Sequence, residues 1–207
     1  MTDPNGPLED TGPLADLARE VRACTLCAAH LPLGPRPILR VDERTRILIT
    51  GQAPGTRVHN TGIPWNDPSG ERLRDWLGVD HETFYALENF GVMAMGFCYP
   101  GKGKGGDLPP RPECAPLWHA RVRALLPRVQ LTLLPGAYGQ RHYLGTGSTA
   151  LTDTVRDFRR HLAQGFFPLP HPSPRNTRWL RDRPWFEAEV VPVLRETVAA
   201  ILGATRR

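Results

Sequence analysis

Four short apolar runs, "RILITG", "FGVMAMGF", "VQLTLLPG" and "FFPLP", constrain the fold of this chain more than any other feature. Each is rich in branched or aromatic residues and is bounded by glycine, proline or a charge, the pattern of a strand buried on both faces. Between them lie stretches with the apolar spacing of helices: "SGERLRDWLG", with Ser69 as the expected cap and Leu73, Trp76 and Leu77 facing inward, then "APLWHARVRALL" and "TALTDTVRDFRRHL". "PLADLAREVRAC" comes before the first strand, and "WFEAEVVPVLRETVAAIL", with a kink expected at Pro192, follows the last. Strands alternating with helices predict an α/β fold: a three-layer α/β/α arrangement with a central four-stranded parallel sheet. Ligands of such sheets gather beyond the carboxyl ends of the strands. Two loops fall at that end, "GQAPG" after the first strand and "HPSPRN" after the fourth.

A length of 207 residues suits one domain with a full core, here expected over 14–207 behind a disordered tail at 1–13. The 22 prolines and 20 glycines imply many fixed turns between short elements. No apolar run approaches the roughly 20 residues that span a bilayer, and "MTDPNGPLEDTG" lacks the basic and apolar parts of a signal peptide. The expectation is therefore a cytoplasmic monomer without membrane association. A net charge of +5 is mild, so its placement carries more than its total. Arg156, Arg159 and Arg160 read as a solvated helix face, whereas Arg175, Arg178, Arg181 and Arg183 abut the histidine turn and read as phosphate-facing.

The chain has four cysteines: the pair Cys24 and Cys27, then Cys98 and Cys114 with fifteen residues between them. Four thiolates suit zinc or an iron–sulfur cluster, and the wide second spacing is unlike a zinc ribbon. Four unrelated buried thiols is the plain alternative. In "GQAPG" small residues let a backbone approach a ligand closely, although a turn with no ligand reads the same way. Trp65 in "TGIPWNDPSGERL" is an aromatic plate on which a flat heterocycle can stack, and Asp67 is a carboxylate at the mouth of a helix; the plain alternatives are a core indole and a capping residue. His171, boxed in by Pro170 and Pro172, is placed to donate to an oxygen that gains negative charge as a bond breaks.

Taken in order, these segments resemble the uracil-DNA glycosylase superfamily, closest to its iron–sulfur branches, the fourth and fifth families. The resemblance runs from Cys24 to about Trp185: "GQAPG" is similar to the first motif, "GIPWNDPSG" to the aromatic and carboxylate segment, and "HPSPRN" to the second motif. It implies hydrolysis of the N-glycosidic bond of uracil or a related deaminated base in DNA, with His171 and Asp67 catalytic. Gly51, Gln52, Ala53 and Trp65 would bind the flipped base, and Lys102, Lys104, Ser173, Arg175, Asn176 and Arg178 the DNA, with Arg111 a further phosphate contact. Cys24, Cys27, Cys98 and Cys114 would hold a structural 4Fe–4S cluster, zinc being the alternative. The pattern departs from the family at Ala94, where an asparagine would read the base edge, and the histidine-bearing loop of the members that cross-link to DNA is not visible. An alternative function follows, that of a catalytically silent iron–sulfur protein binding damaged or single-stranded DNA. A small ferredoxin-like electron carrier fits less well, because the cysteines are spread over ninety residues.

Overall fold

The structure, a computed structural model, describes residues 11–203. The tail expected over 1–13 lies largely outside them, and Pro13 already opens the first helix, α1 (Pro13–Arg22). Four parallel strands form the central sheet: β1 (Ile47–Ile49), β2 (Phe90–Val92), β5 (Leu131–Pro135) and β6 (Phe166–Leu169), in the order β2-β1-β5-β6. A two-residue-per-strand hairpin, β3 (Lys102–Gly103) with β4 (Gly106–Asp107), stands apart from it. The helices are α2 (Thr56–Thr61), α3 (Pro68–Leu77), α4 (His81–Tyr85), α5 (Cys114–Ala124), α6 (Ala137–Leu144), α7 (Leu151–Arg156), α8 (Phe158–Leu162), α9 (Thr177–Arg181) and α10 (Val191–Gly203).

Alternation along the strands divides the core into the two expected layers. Ile47, Ile49, Leu131, Leu133, Phe167 and Leu169 pack against Leu73 and Trp76 of α3, Phe158 of α8 and Leu194 and Val198 of α10. Leu48 points the other way, into a second cluster with Leu17 and Val21 of α1 and Trp118 and Val122 of α5. All four strands are buried along almost their whole length, which is why they read as continuous apolar runs rather than alternating ones.

Three local expectations need correction. Ser69 is not the cap of α3: Asp67 caps it, its Oδ1 accepting from the Gly70 amide at 2.9 Å, with Pro68 at the first helical position and Ser69 buried inside the first turn. "TALTDTVRDFRRHL" is two helices broken at Asp157, a short polar residue that competes for local backbone bonds, and the break lets Phe158 lie on Phe167 with ring centroids 5.3 Å apart. The closing helix is not one regular α-helix with Pro192 as its one irregularity: a π-helical turn over Phe186–Val190 precedes that proline. No helix among the described residues is long and apolar enough to cross a membrane.

Chain order jumps across the middle of the sheet, from β2 on one side of β1 to β5 on the other. A crevice at such a switch point, beyond the carboxyl ends of the strands, is where a ligand is expected.

Candidate active site

A cavity of about 550 Å³ opens at that point, within the range of small-ligand sites. Its walls come from the loops that follow three of the four strands, β1, β2 and β6. Gly51, Gln52 and Ala53 follow β1, Ala94 follows β2, and His171, Ser173, Arg175 and Asn176 follow β6. Trp65 and Asp67, just before α3, complete one side. The first loop is held by the segment after β2, because Gly51 O and Gln52 O accept from the amides of Met95 and Gly96 at 2.9 and 3.0 Å. A rigid backbone therefore lines the slot on that side.

Trp65 occupies the left-handed region at φ 59°, the one non-glycine residue among those described to do so. A bulky residue there carries strain on the order of 1–3 kcal/mol, and such strain clusters at ligand clamps. What holds it is visible. Arg74 Nη1 donates to Trp65 O at 3.1 Å, Tyr85 Oη donates to Pro64 O at 2.8 Å, and Gly70 packs so tightly that a Cβ there would stand 1.7 Å from Trp65 O. The indole in turn lies over Gly51, whose added Cβ would meet Cζ2 at 3.1 Å, and its ring centroid is 5.7 Å from that of His171. The first and second loops are thus joined through one aromatic ring.

His171 is fixed from three sides. Asn176 Nδ2 donates to its carbonyl at 2.7 Å, Arg72 of α3 reaches the carbonyls of Pro172 and Ser173 at 3.3 and 3.1 Å, and the Ser173 amide donates to His171 Nδ1 at 3.2 Å. The last bond assigns the tautomer: Nδ1 accepts, so in the neutral ring Nε2 carries the proton and is free to donate. Burial pushes the imidazole below its ordinary pKa, and the charge of Asp67 pulls weakly the other way. A neutral, oriented N–H donor at pH 7 is the outcome. Asp67 caps α3 through Oδ1, and its Oδ2 makes no hydrogen bond among the described residues.

The expected DNA contacts divide. Ser173, Arg175 and Asn176 line the cavity, but Ser173 Oγ also accepts from the Arg175 amide and Arg175 Nη1 donates to Gly105 O at 2.9 Å. Arg178 does not line it; it is exposed on α9, 3.6 Å from Asp182. Lys102 and Lys104 are exposed on the β3–β4 hairpin, with Lys102 on an adjoining groove instead of the cavity. Arg111 pairs with Glu113 at 2.5 Å and does not line the cavity. Gln52, expected at the base edge, spends an amide proton on Leu108 O at 3.1 Å.

All four cysteines line one further, largely apolar cavity between α1 and α5, with Leu31, Phe97 and Trp118. Burial raises the Cys98 thiol to about 11 and the Cys114 thiol to about 12. Both thiols stay protonated at neutral pH unless a bound metal takes the place of the proton. The donor set, four thiols from three separate segments within an apolar shell, fits a thiolate-bound centre. Among the described residues no three His, Cys, Asp or Glu side chains converge closely enough for a single ion.

Arg72, Arg74, Tyr85 and Asp107 are parts of this site that the motifs did not reveal. Asp107 alone left a signal, as the carboxylate ending the glycine run "GKGKGGD". A family model described as the uracil DNA glycosylase superfamily matches residues 40–195, from the approach to β1 into α10 and over both loops, leaving Cys24 and Cys27 outside. With that match over three quarters of its length, and with both motif loops brought to one cavity, the chain belongs to the uracil DNA glycosylase superfamily.

Proposed function

We propose that this protein is a DNA glycosylase that hydrolyses the N-glycosidic bond of uracil or a related deaminated base. The observation that carries the reading is the convergence of His171, Trp65 and Asp67 on one cavity. A base within a duplex is out of reach, so the target must leave the stack, at a cost of a few kcal/mol, and enter a slot of this size. There the part-buried indole of Trp65, which lines the cavity, stacks on the base. His171 Nε2–H donates to the carbonyl oxygen as the base leaves with the bonding electrons; one such donor typically contributes about 3–4 kcal/mol. The free oxygen of Asp67 accepts a hydrogen bond from the attacking water and orients it toward the sugar carbon. Arg175 and the turn Pro172–Asn176 face the minor groove at the rim and support the opened duplex.

The cysteine cavity supports a structural 4Fe–4S cluster, held by Cys24, Cys27, Cys98 and Cys114, better than zinc, because the thiols surround a space without meeting at one point. Such a cluster would join α1 to α5 and supply no chemistry at the base. Iron and sulfide analysis of anaerobically prepared protein, with the brown charge-transfer absorbance, tests this against a zinc assay.

One observation favours the silent DNA-binding alternative: Ala94 presents only a methyl group to the cavity. Single- and double-stranded oligonucleotides carrying uracil, hypoxanthine or xanthine, treated with the protein and then alkali, separate the two readings. Strand breaks at the modified base are expected. Binding without a break at any of the three sinks the glycosylase reading.

A further inference from the structure

Resting on the glycosylase reading, we infer that Asp107 reads the base: its carboxylate accepts the hydrogen bond of the ring N–H that deamination creates. The cavity holds five carboxylate, amide or guanidinium side chains, Gln52, Asp67, Asp107, Arg175 and Asn176. Four are engaged with the protein, Gln52 with Leu108 O, Asp67 with the Gly70 amide, Arg175 with Gly105 O and Asn176 with His171 O. Asp107 is the one of the five whose side chain makes no hydrogen bond at all among the described residues. Ala94 cannot serve instead, because its side chain is a methyl and its carbonyl already lies 3.0 Å from His119 Nε2.

The position of Asp107 is built, not incidental. A Cβ added to Gly55 would stand 3.4 Å from Asp107 Oδ2, so the carboxylate overlies the first loop. The hairpin that carries it is fixed at both ends. Leu108, the next residue, donates its amide to Gly101 O at 2.8 Å and receives Gln52, while Arg175 holds the turn at Gly105. Gly106 at φ 147° leaves room for that guanidinium, since a Cβ would lie 2.1 Å from Arg175 Nη1. The hairpin therefore bridges the two loops over the cavity and presents one uncommitted acceptor. Although Asp107 is exposed as a residue, its surroundings withdraw enough water to raise its carboxyl above the usual range, opposed by Arg175 and Lys102. An acceptor in that state gains from a ligand donor.

The chemistry selects deaminated bases. Uracil and hypoxanthine carry a ring N–H beside a carbonyl, whereas cytosine and adenine have a lone pair on the same ring nitrogen. An ionised carboxylate only accepts, so it bonds the former and repels the latter. Thymine keeps its N–H, so Asp107 does not discriminate against it.

Ligand-observed NMR titration with free uracil, 3-methyluracil and cytosine tests this in the wild type, Asp107→Ala and Asp107→Asn, with thermal melts confirming the fold. About a tenfold loss of uracil affinity is expected in D107A, with 3-methyluracil unchanged. D107N, which offers both a carbonyl and an amino group, should recover uracil and gain cytosine. Uracil bound equally by wild type and D107A, or not bound by the wild type, overturns the inference, whatever the excision assay shows. Asp107-dependent uracil binding by a protein that excises nothing upholds the inference and removes the glycosylase reading.

Discussion

His171 is held by Asn176, Arg72 and the Ser173 amide, and burial depresses its pKa, so it remains neutral where an ordinary imidazole begins to charge. Protonation removes nothing from Nε2 as a donor, but it breaks the Ser173 amide bond to Nδ1 and places a charge in the slot. Single-turnover excision should therefore hold level down to about pH 6.5, the ordinary imidazole value, and fall only below it. A rate that already halves at or above that pH contradicts the buried, neutral ring. Asp67 allows its two duties to be separated. Asp67→Asn keeps a cap for α3 and should melt close to the parent while cleaving far more slowly, whereas Asp67→Ala should also lose about 1 kcal/mol of stability. Parent-rate cleavage by the asparagine variant places water activation elsewhere.

At the scale of elements, α3 is the part that organises the site, because its cap is Asp67, its first turn takes Gly70 against Trp65 O, and Arg72 and Arg74 tie both flanking loops. Gly70→Ala must displace the Trp65 carbonyl, so excision should drop by at least a hundredfold with little change in helix content by circular dichroism. Unaltered excision would mean that the strained Trp65 conformation is not needed. The strands were legible in sequence because a sheet covered on both faces needs uninterrupted apolar runs, and β1, β2, β5 and β6 all lie within the expected ones. The two loops were legible because glycine, proline and histidine stand at strand ends. The cap of α3 is Asp67, the capping alternative open to it in the sequence, and not Ser69, whose place two residues later resembles a cap equally well; the break at Asp157 leaves no periodicity signal. Arg72 meets carbonyls and Asp107 a glycine far away in sequence, while Arg74 meets a carbonyl nine residues back across the start of α3, and helical spacing encodes none of these contacts.

The molecule as a whole couples its polar interior to pH through His119, stacked on Phe97 and bonded to Tyr143 Oη at 2.6 Å, close behind the floor at Ala94. Burial lowers its pKa to about 4. The unfolded chain binds the proton first as pH falls, so stability is full above about pH 6.5 and declines toward pH 4, by about 3 kcal/mol in all. Urea unfolding across that range should show the slope and His119→Gln should make it shallower, His171 keeping a part of it; a wild-type profile flat from pH 6.5 to 4 contradicts the assignment. If the proposed DNA binding relies on cations at the rim, Arg175 among them, affinity should weaken with salt for damaged and undamaged duplexes alike. The central claim is that one cavity holds an extrahelical base between Trp65, Asp67 and His171. Its most direct measurement is single-turnover excision of uracil by wild type and His171→Ala, beside the affinity of each for the same DNA. A loss of about 10²–10³ in rate with affinity kept is the predicted result, and excision retained by His171→Ala, or lost only in step with binding, contradicts it.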